Sequence, residues 1–300
     1  MFLNVLRGFV DRGPELALFH QILAGETGQR ILLVLERGEI GKTCFLLKLA
    51  DECEREAPPV PVVLLDFDQH RSGLTDFLSV AREVRRRLSD DLTPAICACE
   101  DEIVHPGPLV NVQTGGGDAG VDWGRRGRFA GAGISGVTGR DHVDMRIGSI
   151  SGAAPTAEQI AWQKAEMGRA LGSDLAGLAE AHRRVVLLVD TFENAPEETC
   201  GWLERWLFEP LRHELSHVLL VVAGRPECQS FFAPPRLWGG LIAPVRFDPF
   251  SDDDIRSYYR QRGIFVPEAE MPLLLDLARS SPANMGKLGD QLEQVRGGAR

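Results

Sequence analysis

The sequence predicts an α/β protein with a parallel sheet of about five strands, flanked by helices on both faces. Four short segments consist mainly of Val, Leu and Ile, which is typical of strands buried on both faces of a parallel sheet; they are residues 30–35, 62–67, 184–190 and 217–225. Segments with apolar residues at helical spacing alternate with these strands along the chain.

The composition is that of a globular protein with a sizeable core, since 44% of the 300 residues are hydrophobic and 25% are charged. The net charge of −10 argues against general nucleic-acid or anionic-membrane binding, because affinity for phosphate groups depends on clustered Lys and Arg. Apolar runs are strand-sized and residues 1–10 do not resemble a signal peptide. We therefore expect a cytoplasmic protein without a membrane span.

The first part of the chain is predicted to contain two strands and three helices. A helix within residues 9–29 precedes strand 30–35. A second helix, at about 41–56, ends at a cluster of prolines before strand 62–67. The third helix, 75–88, carries a row of arginines that we interpret as a solvated face: Arg82, Arg85, Arg86 and Arg87.

Residues 106–155 differ from the rest of the chain, because glycine is frequent there and large apolar side chains are few. Such a segment has little apolar surface to bury. We therefore expect a mobile insertion, or a set of short glycine-rich hairpins, within the α/β core.

The alternation then resumes. Helices are predicted at 156–181 and 197–215, next to strands 184–190 and 217–225, and a very short fifth strand is expected at 245–247.

After Pro249 the chain is predicted to be helical. Ser251, followed by three aspartates, is a favourable capped helix start, and two further helices are expected at 267–277 and 282–295. The predicted domains are a core of residues 1–249 and a small helical unit of residues 250–300.

Gly41, Lys42 and Thr43 lie directly between the first predicted strand and the following helix. A tight strand-to-helix turn directs several backbone N–H groups, and the positive end of the helix dipole, towards one space. The lysine amine can there reach β- and γ-phosphate oxygens, and the threonine hydroxyl can bind Mg²⁺. Together with Gly38 and Cys44, these residues form the predicted phosphate-binding loop.

The loop departs from the pattern G-x-x-x-x-G-K-[ST] at its first position, which is Glu36 rather than glycine. Glu36 and Glu39 also place two carboxylates near an anion site. We expect them to weaken phosphate binding unless their side chains point away, and we expect Gly38 to supply part of the missing flexibility.

Two further strands end in charged residues, Asp190 and Arg225. Ligands of parallel sheets bind at the carboxyl ends of the strands. Asp190 is therefore predicted to hold Mg²⁺, Arg225 to contact the γ-phosphate, and Glu193, just beyond Asp190, to orient or deprotonate an attacking water. The alternatives are a helix cap for Asp190, a surface carboxylate for Glu193 and a salt bridge for Arg225.

The order of these motifs resembles the STAND class of signal-transducing P-loop ATPases, which is related to AAA+ proteins and includes the NACHT and NB-ARC groups. The residues that carry the resemblance are residues 9–12, 33–43, 190–193, 221–225 and 247–251, followed by Tyr258 and Tyr259 in a helix. The resemblance covers roughly residues 9–295, apart from the glycine-rich insertion.

The resemblance implies a P-loop NTPase fold of five parallel strands followed by a helical lid, with ATP and Mg²⁺ as cofactors. It implies a Walker A role for residues 41–43, although the loop is degenerate, and a Walker B role for Asp190, with Glu193 as the acidic residue beyond it. The sensor arginine of the class matches Arg225. The resemblance implies that members exchange or hydrolyse ATP slowly and switch between a closed resting form and an oligomer, so we expect a protein partner or a second copy of the chain.

Two functions remain open from the sequence. The first is an ATP-binding signalling or regulatory switch with slow Mg²⁺-dependent hydrolysis, in which the lid senses the γ-phosphate. The second is a non-hydrolysing nucleotide-binding or protein-interaction module, for which Glu36 and Glu39 argue. A small-molecule kinase is a third interpretation, but no second basic lid motif supports it.

Overall fold

Five strands form the centre of the computed structural model: β1 (Ile31–Leu35), β2 (Val62–Asp66), β3 (Val185–Asp190), β4 (Val218–Gly224) and β5 (Ile242–Val245). The order across the sheet is β2-β3-β4-β1-β5, and every neighbouring pair is parallel. The predicted α/β fold with a parallel sheet of five strands is thus confirmed.

The structure describes residues 9–10, 12–68, 73–104, 155–181, 184–232, 238–280 and 282–297. The predicted glycine-rich insertion at 106–155 lies outside these residues except for its last position.

Helices cover both faces of the sheet, and side chains alternate along each strand between two cores. The core on one face includes residues of α1 (Gly13–Ala24) and α2 (Lys42–Arg55). The core on the other face includes residues of α3 (Phe77–Leu88), α4 (Pro94–Val104), α5 (Ala157–Ala181) and α6 (Glu197–Leu203). None of the helices in the described residues has the length and hydrophobicity that a membrane span requires.

The register of the sheet places the charged strand ends at one edge. β3 and β4 are buried along their whole length, and Asp66 of β2 pairs with Asp190 of β3. On the other side of β4, Gly224 pairs with Leu35, the residue from which β1 continues into the predicted phosphate loop. The predicted site residues therefore start from neighbouring strand ends, where ligands of such sheets bind.

Helix α4 has no counterpart in the sequence prediction. Its first turn is capped by a distant residue, because the carboxylate of Asp174 in α5 accepts the backbone N–H groups of Ala95 (2.9 Å) and Ile96 (2.7 Å). A cap supplied from another helix leaves no local sequence signal.

The predicted helix at 197–215 is wrong in its second half. Only Glu197–Leu203 is α-helical, and a π-helical segment, Glu204–Phe208, follows it. Trp206 of that segment packs on Gly168 of α5, where an added Cβ would lie 2.2 Å from the indole ring. Pro210 then ends the regular helical hydrogen bonding.

The fifth strand is confirmed in existence but wrong in position, since it spans Ile242–Val245 rather than 245–247. Pro244 lies inside it, and proline is uncommon in strands because it lacks an N–H donor. β5 tolerates this residue because, among the strands that the structure describes, it is an edge strand whose one neighbour is β1.

Three helices complete the described chain: α7 (Asp252–Gln261), α8 (Met271–Ser280) and α9 (Pro282–Gly297), here termed the C-terminal helices. They surround a hydrophobic cluster that is separate from both sheet cores. α7 begins at a capping box formed by Ser251 and Asp254. Arg262 joins α7 to α9 by donating hydrogen bonds to Asp290 and Glu293.

Candidate functional site

The segment between β1 and α2 turns tightly at the carboxyl edge of the sheet. Gly41 caps α2 with a φ of 94°, in the left-handed region that glycine adopts without steric cost, and Glu39 has a φ of 63°. Ile40, between them, is buried in the core beneath α2 and anchors the turn. The unpaired N–H groups at the start of α2 and the positive end of its dipole lie at this turn, which favours an anion.

The Lys42 side chain lies over the loop. Its Nζ donates hydrogen bonds to the carbonyl oxygens of Glu36 (2.6 Å) and Arg37 (2.8 Å). Burial lowers the pKa of Lys42, and the charges of Glu193 and Asp190 oppose that shift. Both hydrogen-bond acceptors are neutral, so a charged phosphate oxygen would form a stronger hydrogen bond with the same amine.

Asp190, at the end of β3, lies beside the side chain of Thr43 in the first turn of α2. Asp190 is 3% exposed. Burial raises the pKa of its carboxyl group; the charge of Asp66 adds to the rise, and the Thr43 side chain opposes it. Thr43 and Asp190, the two residues predicted to hold a metal ion, are therefore neighbours at this edge of the sheet.

The donor set fits Mg²⁺. A carboxylate and a hydroxyl are hard oxygen ligands, which Mg²⁺ prefers. Within the described residues, no group of three or more His, Cys, Asp or Glu side chains is placed to hold a metal ion without help. Mg²⁺ commonly uses one or two protein ligands, with water and substrate phosphates completing its shell.

Glu193 and Arg225 form an ion pair at the same edge. Oε1 of Glu193 lies 3.1 Å from Nε of Arg225, and Oε2 accepts the backbone N–H of Arg225 at 3.2 Å. The Glu193 side chain is 18% exposed and that of Arg225 is 59% exposed, so the carboxylate is held while the guanidinium reaches solvent. The salt bridge considered for Arg225 is thus present. Both charges also act on Lys42, which places the three groups in one site.

Asp66 and Thr191 receive no role from the sequence, yet they meet beside Asp190. Thr191 has a left-handed φ of 55°, and its hydroxyl donates to Oδ1 of Asp66 at 3.4 Å. Its backbone N–H donates to Oδ1 of Asp190 at 2.9 Å. Thr191 therefore bridges the carboxylates that end β2 and β3. The sequence does show that Asp66 and Asp190 each end a strand. It does not show that they lie side by side, because that depends on the register of the sheet.

The loop residues that depart from the common pattern have different surroundings. Glu39 is exposed, and Glu36 is half-buried with its carbonyl on Lys42. Gly38 is exposed and has no positive φ, so the left-handed conformations fall on Glu39 and Gly41 instead. That Gly38 supplies part of the missing flexibility stays a prediction.

The structure brings the predicted site residues to one edge of the sheet: residues 41–44, Asp190, Glu193 and Arg225. Cys44 follows Thr43 in α2 and is exposed, whereas the other five cysteines are buried or half-buried. The contacts among these residues are observed, and their roles in binding and catalysis remain predictions.

The fold is similar to that of solved Walker-type ATPases. One, from Pyrococcus abyssi, aligns with a TM-score of 0.53 and 14% identity over 97% of this chain and 69% of its own. The ORC1 protein of Aeropyrum pernix, solved in complex with DNA, aligns with a TM-score of 0.53 and 16% identity over 98% of this chain and 63% of its own. At such identities the likeness shows the P-loop ATPase fold alone.

No protein-family model matches the sequence, and no curated protein matches it. The structural likeness supports the P-loop NTPase part of the predicted resemblance, and membership of the STAND class stays a prediction.

Proposed function

We propose that this protein binds ATP with Mg²⁺ at residues 38–44, hydrolyses it slowly and acts as a regulatory switch of the STAND type. The observation that carries the proposal is that Thr43 and the amine of Lys42 lie close to the buried carboxylate of Asp190. It supports a site in which a cation, a hydroxyl and a carboxylate surround the positive end of a helix, in a sheet with the fold of Walker-type ATPases.

In the binding step, the Lys42 amine exchanges the carbonyl oxygens of Glu36 and Arg37 for phosphate oxygens. The N–H groups at the start of α2 donate to the same phosphates. Thr43 and Asp190 are the residues that would hold Mg²⁺. When bound, Mg²⁺ supplies neutralisation of the negative charge on the β- and γ-phosphates.

In the hydrolytic step, Glu193 orients the attacking water and accepts its proton. In the structure both oxygens of this carboxylate contact Arg225. The exposed guanidinium can turn from Glu193 to the γ-phosphate, which leaves the carboxylate to contact water. Because hydrolysis then requires the ion pair to open, slow turnover is expected.

The C-terminal helices are the proposed lid. They follow β5 directly and have a hydrophobic cluster of their own, so they can shift as a unit relative to the sheet. A γ-phosphate that binds one lid position better than the other would shift the population between the two. The lid would then present a different surface to a protein partner or to a second copy of the chain.

The proposal does not extend to DNA, although the Aeropyrum pernix protein was solved with it. The chain carries a net charge of −10. The arginine-rich face of α3 pairs with carboxylates, which reduces the positive charge that a phosphate backbone would need.

A second candidate is a nucleotide-binding module that does not hydrolyse. It is favoured by the engagement of Glu193 with Arg225, because both oxygens of the carboxylate that would act on water already have a partner. Phosphate release that clearly exceeds that of a Glu193→Gln variant would argue against this candidate.

Isothermal titration with Mg-ATP tests the main proposal. Lys42→Ala is expected to weaken binding about 10- to 100-fold, since a hydrogen-bonded charged group contributes about 1.5–3 kcal/mol. Lys48→Ala is the matched control, because Lys48 lies on the same helix and pairs with Asp51 and Glu52. Equal affinity in the wild-type protein and Lys42→Ala would contradict the proposal.

A further inference from the structure

Arg12 is a buried cation between two aromatic rings. The residue is 3% exposed, and its Cζ lies 4.3 Å from the ring centroid of Phe247 and 4.6 Å from that of Phe250. Its Nη1 donates a hydrogen bond to the carbonyl oxygen of Asp248 at 2.9 Å. A planar, weakly hydrated guanidinium suits such stacking better than an ammonium group does.

The two rings belong to different hydrophobic clusters. Phe247 is buried in the sheet core that α2 covers, and its ring meets that of Phe45 edge-on, with centroids 5.3 Å apart. Phe250 packs against the cluster of the C-terminal helices. Arg12 therefore contacts the chain between β5 and α7 where it leaves one cluster and enters the other.

The residues just before Arg12 show the same division. Phe9 packs against the sheet core, and Val10 is buried in the cluster of the C-terminal helices. Arg12 itself has a left-handed φ of 97° at the start of α1. A residue other than glycine keeps this conformation only where its surroundings fix it. The N-terminal segment is thus held to both clusters at once.

A line of direct contacts leads from this junction to the phosphate loop. Phe45 lies in the first turn of α2, two residues after Thr43, and its N–H donates to the carbonyl of Gly41 at 3.0 Å. Phe45 contacts Phe247, Phe247 contacts Arg12, and Arg12 contacts Phe250. Movement of the first turn of α2 would reach the C-terminal helices along this line.

We infer that Arg12 is a positioning residue that couples the C-terminal helices to the phosphate loop, by holding residues 247–250 against the N-terminal segment and α2. The inference rests on the proposed function and deepens it, because it names the contacts through which the lid responds to nucleotide. A stack of flat rings around one cation can shift without breaking, whereas its loss uncouples the two clusters.

Hydrogen exchange of the full chain, followed by mass spectrometry, tests this inference with Arg12→Met. Methionine keeps an unbranched apolar side chain but removes the charge and the flat face. Arg246→Met is the matched control, since Arg246 is an exposed cation on the same connection, directly before Phe247. Arg12→Lys keeps the positive charge but lacks the planar guanidinium, and its exchange is expected to lie between that of the wild-type protein and that of Arg12→Met.

Without nucleotide, Arg12→Met is expected to raise exchange at least about tenfold in residues 246–251 and to leave β3 and β4 unchanged. With Mg²⁺ and a slowly hydrolysed ATP analogue, the wild-type protein is expected to slow exchange in both residues 41–46 and α7. Arg12→Met should still show slower exchange at residues 41–46 but no longer in α7, whereas Arg246→Met should show slower exchange in both.

Two results would overturn the inference. One is that Arg12→Met, without nucleotide, exchanges at residues 246–251 as slowly as the wild-type protein. The other is that nucleotide slows exchange in α7 of Arg12→Met as much as in the wild-type protein. If the ATP analogue slows exchange at residues 41–46 in none of the proteins, the proposed function is refuted. The nucleotide-free comparison would then still test whether Arg12 holds residues 246–251. If Arg12→Met does not fold, Phe250→Leu removes one of the two rings and is expected to show the same loss of the α7 response.

Discussion

Two regions of the molecule are rich in charged side chains, and they differ in what those charges contact. On the outer face of α3, the arginines pair with carboxylates: Arg82 with Glu100, Arg85 with Asp90 and Glu100, and Arg86 and Arg87 with Glu83. At the edge of the sheet, the Lys42 amine binds backbone carbonyls and the Asp190 carboxylate is buried against a hydroxyl. A count of charged residues in the sequence cannot distinguish the two regions, because they differ in whether each charged side chain is paired with one of opposite charge.

The two regions also differ in their effect on stability. Exposed ion pairs are screened by solvent and contribute little to folding. A buried carboxylate with a raised pKa instead opposes folding at neutral pH, since its charged form is poorly solvated. Strongly shifted pKa values cluster at functional sites, which is why Asp190 is a candidate for one.

Glu193→Gln is expected to lower ATP turnover about 100-fold while Mg-ATP affinity stays nearly constant, because the amide still hydrogen-bonds but cannot accept a proton. Phosphate release under saturating Mg-ATP measures this effect. Glu197→Gln, which changes an exposed carboxylate at the start of α6, is the control and should retain wild-type turnover. Equal turnover in both variants would remove Glu193 from the mechanism.

Asp190→Asn is expected to abolish the dependence of ATP binding on Mg²⁺ and to raise stability. Burial raises the pKa of Asp190, so the folded protein holds this proton more tightly than the unfolded chain, and stability falls as the pH rises through the raised value. The neutral amide avoids that loss. We therefore expect a higher Tm for Asp190→Asn than for the wild-type protein at neutral pH.

Thermal unfolding at neutral and at acid pH checks this prediction. The gain should vanish at acid pH, where Asp190 of the wild-type protein is itself protonated. A lower Tm for Asp190→Asn at neutral pH would show that the charged form stabilises the fold, contrary to the argument from burial.

Mg-ATP affinity is expected to fall as the pH is lowered through the raised pKa of Asp190, because the carboxyl group must lose its proton to bind the metal ion. Titration calorimetry in two buffers of different ionisation enthalpy would detect the released proton. Binding of ATP without Mg²⁺ is the control, and it should lack this proton release. The same proton release with and without Mg²⁺ would assign the titration to another group.

The double variant Glu83→Gln and Glu100→Gln is expected to convert the face of α3 into a weak anion-binding surface, since it removes carboxylates that pair with all four arginines. The readout is the salt concentration that elutes the protein from heparin. Glu102→Gln, which changes an exposed carboxylate on α4, should leave elution nearly unchanged. If the double variant elutes at the same salt concentration as the wild-type protein, ion pairing is not the reason that the arginines of α3 fail to bind anions.

Much of the fold follows from local sequence. The first four strands are apolar runs, and their observed bounds, such as Ile31–Leu35, lie within two residues of the prediction. The Lys42 loop is predictable for the same reason, since a strand, a G-K-T motif and a helix are contiguous in the chain.

The features that the sequence does not reveal depend on distant residues. The stacked Arg12 donates to Asp248, which is 236 residues away in the chain. Asp174 caps α4 across 79 and 78 residues. The bridge from Thr191 to Asp66 exists only because β2 and β3 pair in one register. Periodicity and motif spacing describe residues that are close in the chain, so they do not predict contacts between residues that are far apart in it.

The accessibility of Cys44 offers a direct experimental handle. It is the exposed thiol among six, and it directly follows Thr43. Burial and the charge of Asp190 raise the pKa of this thiol, so it reacts with an alkylating reagent faster at alkaline pH, and a ligand seated on the loop would shield it. The unaltered polypeptide thus contains its own footprinting probe, whose reaction rate reports occupancy without any label or engineered change.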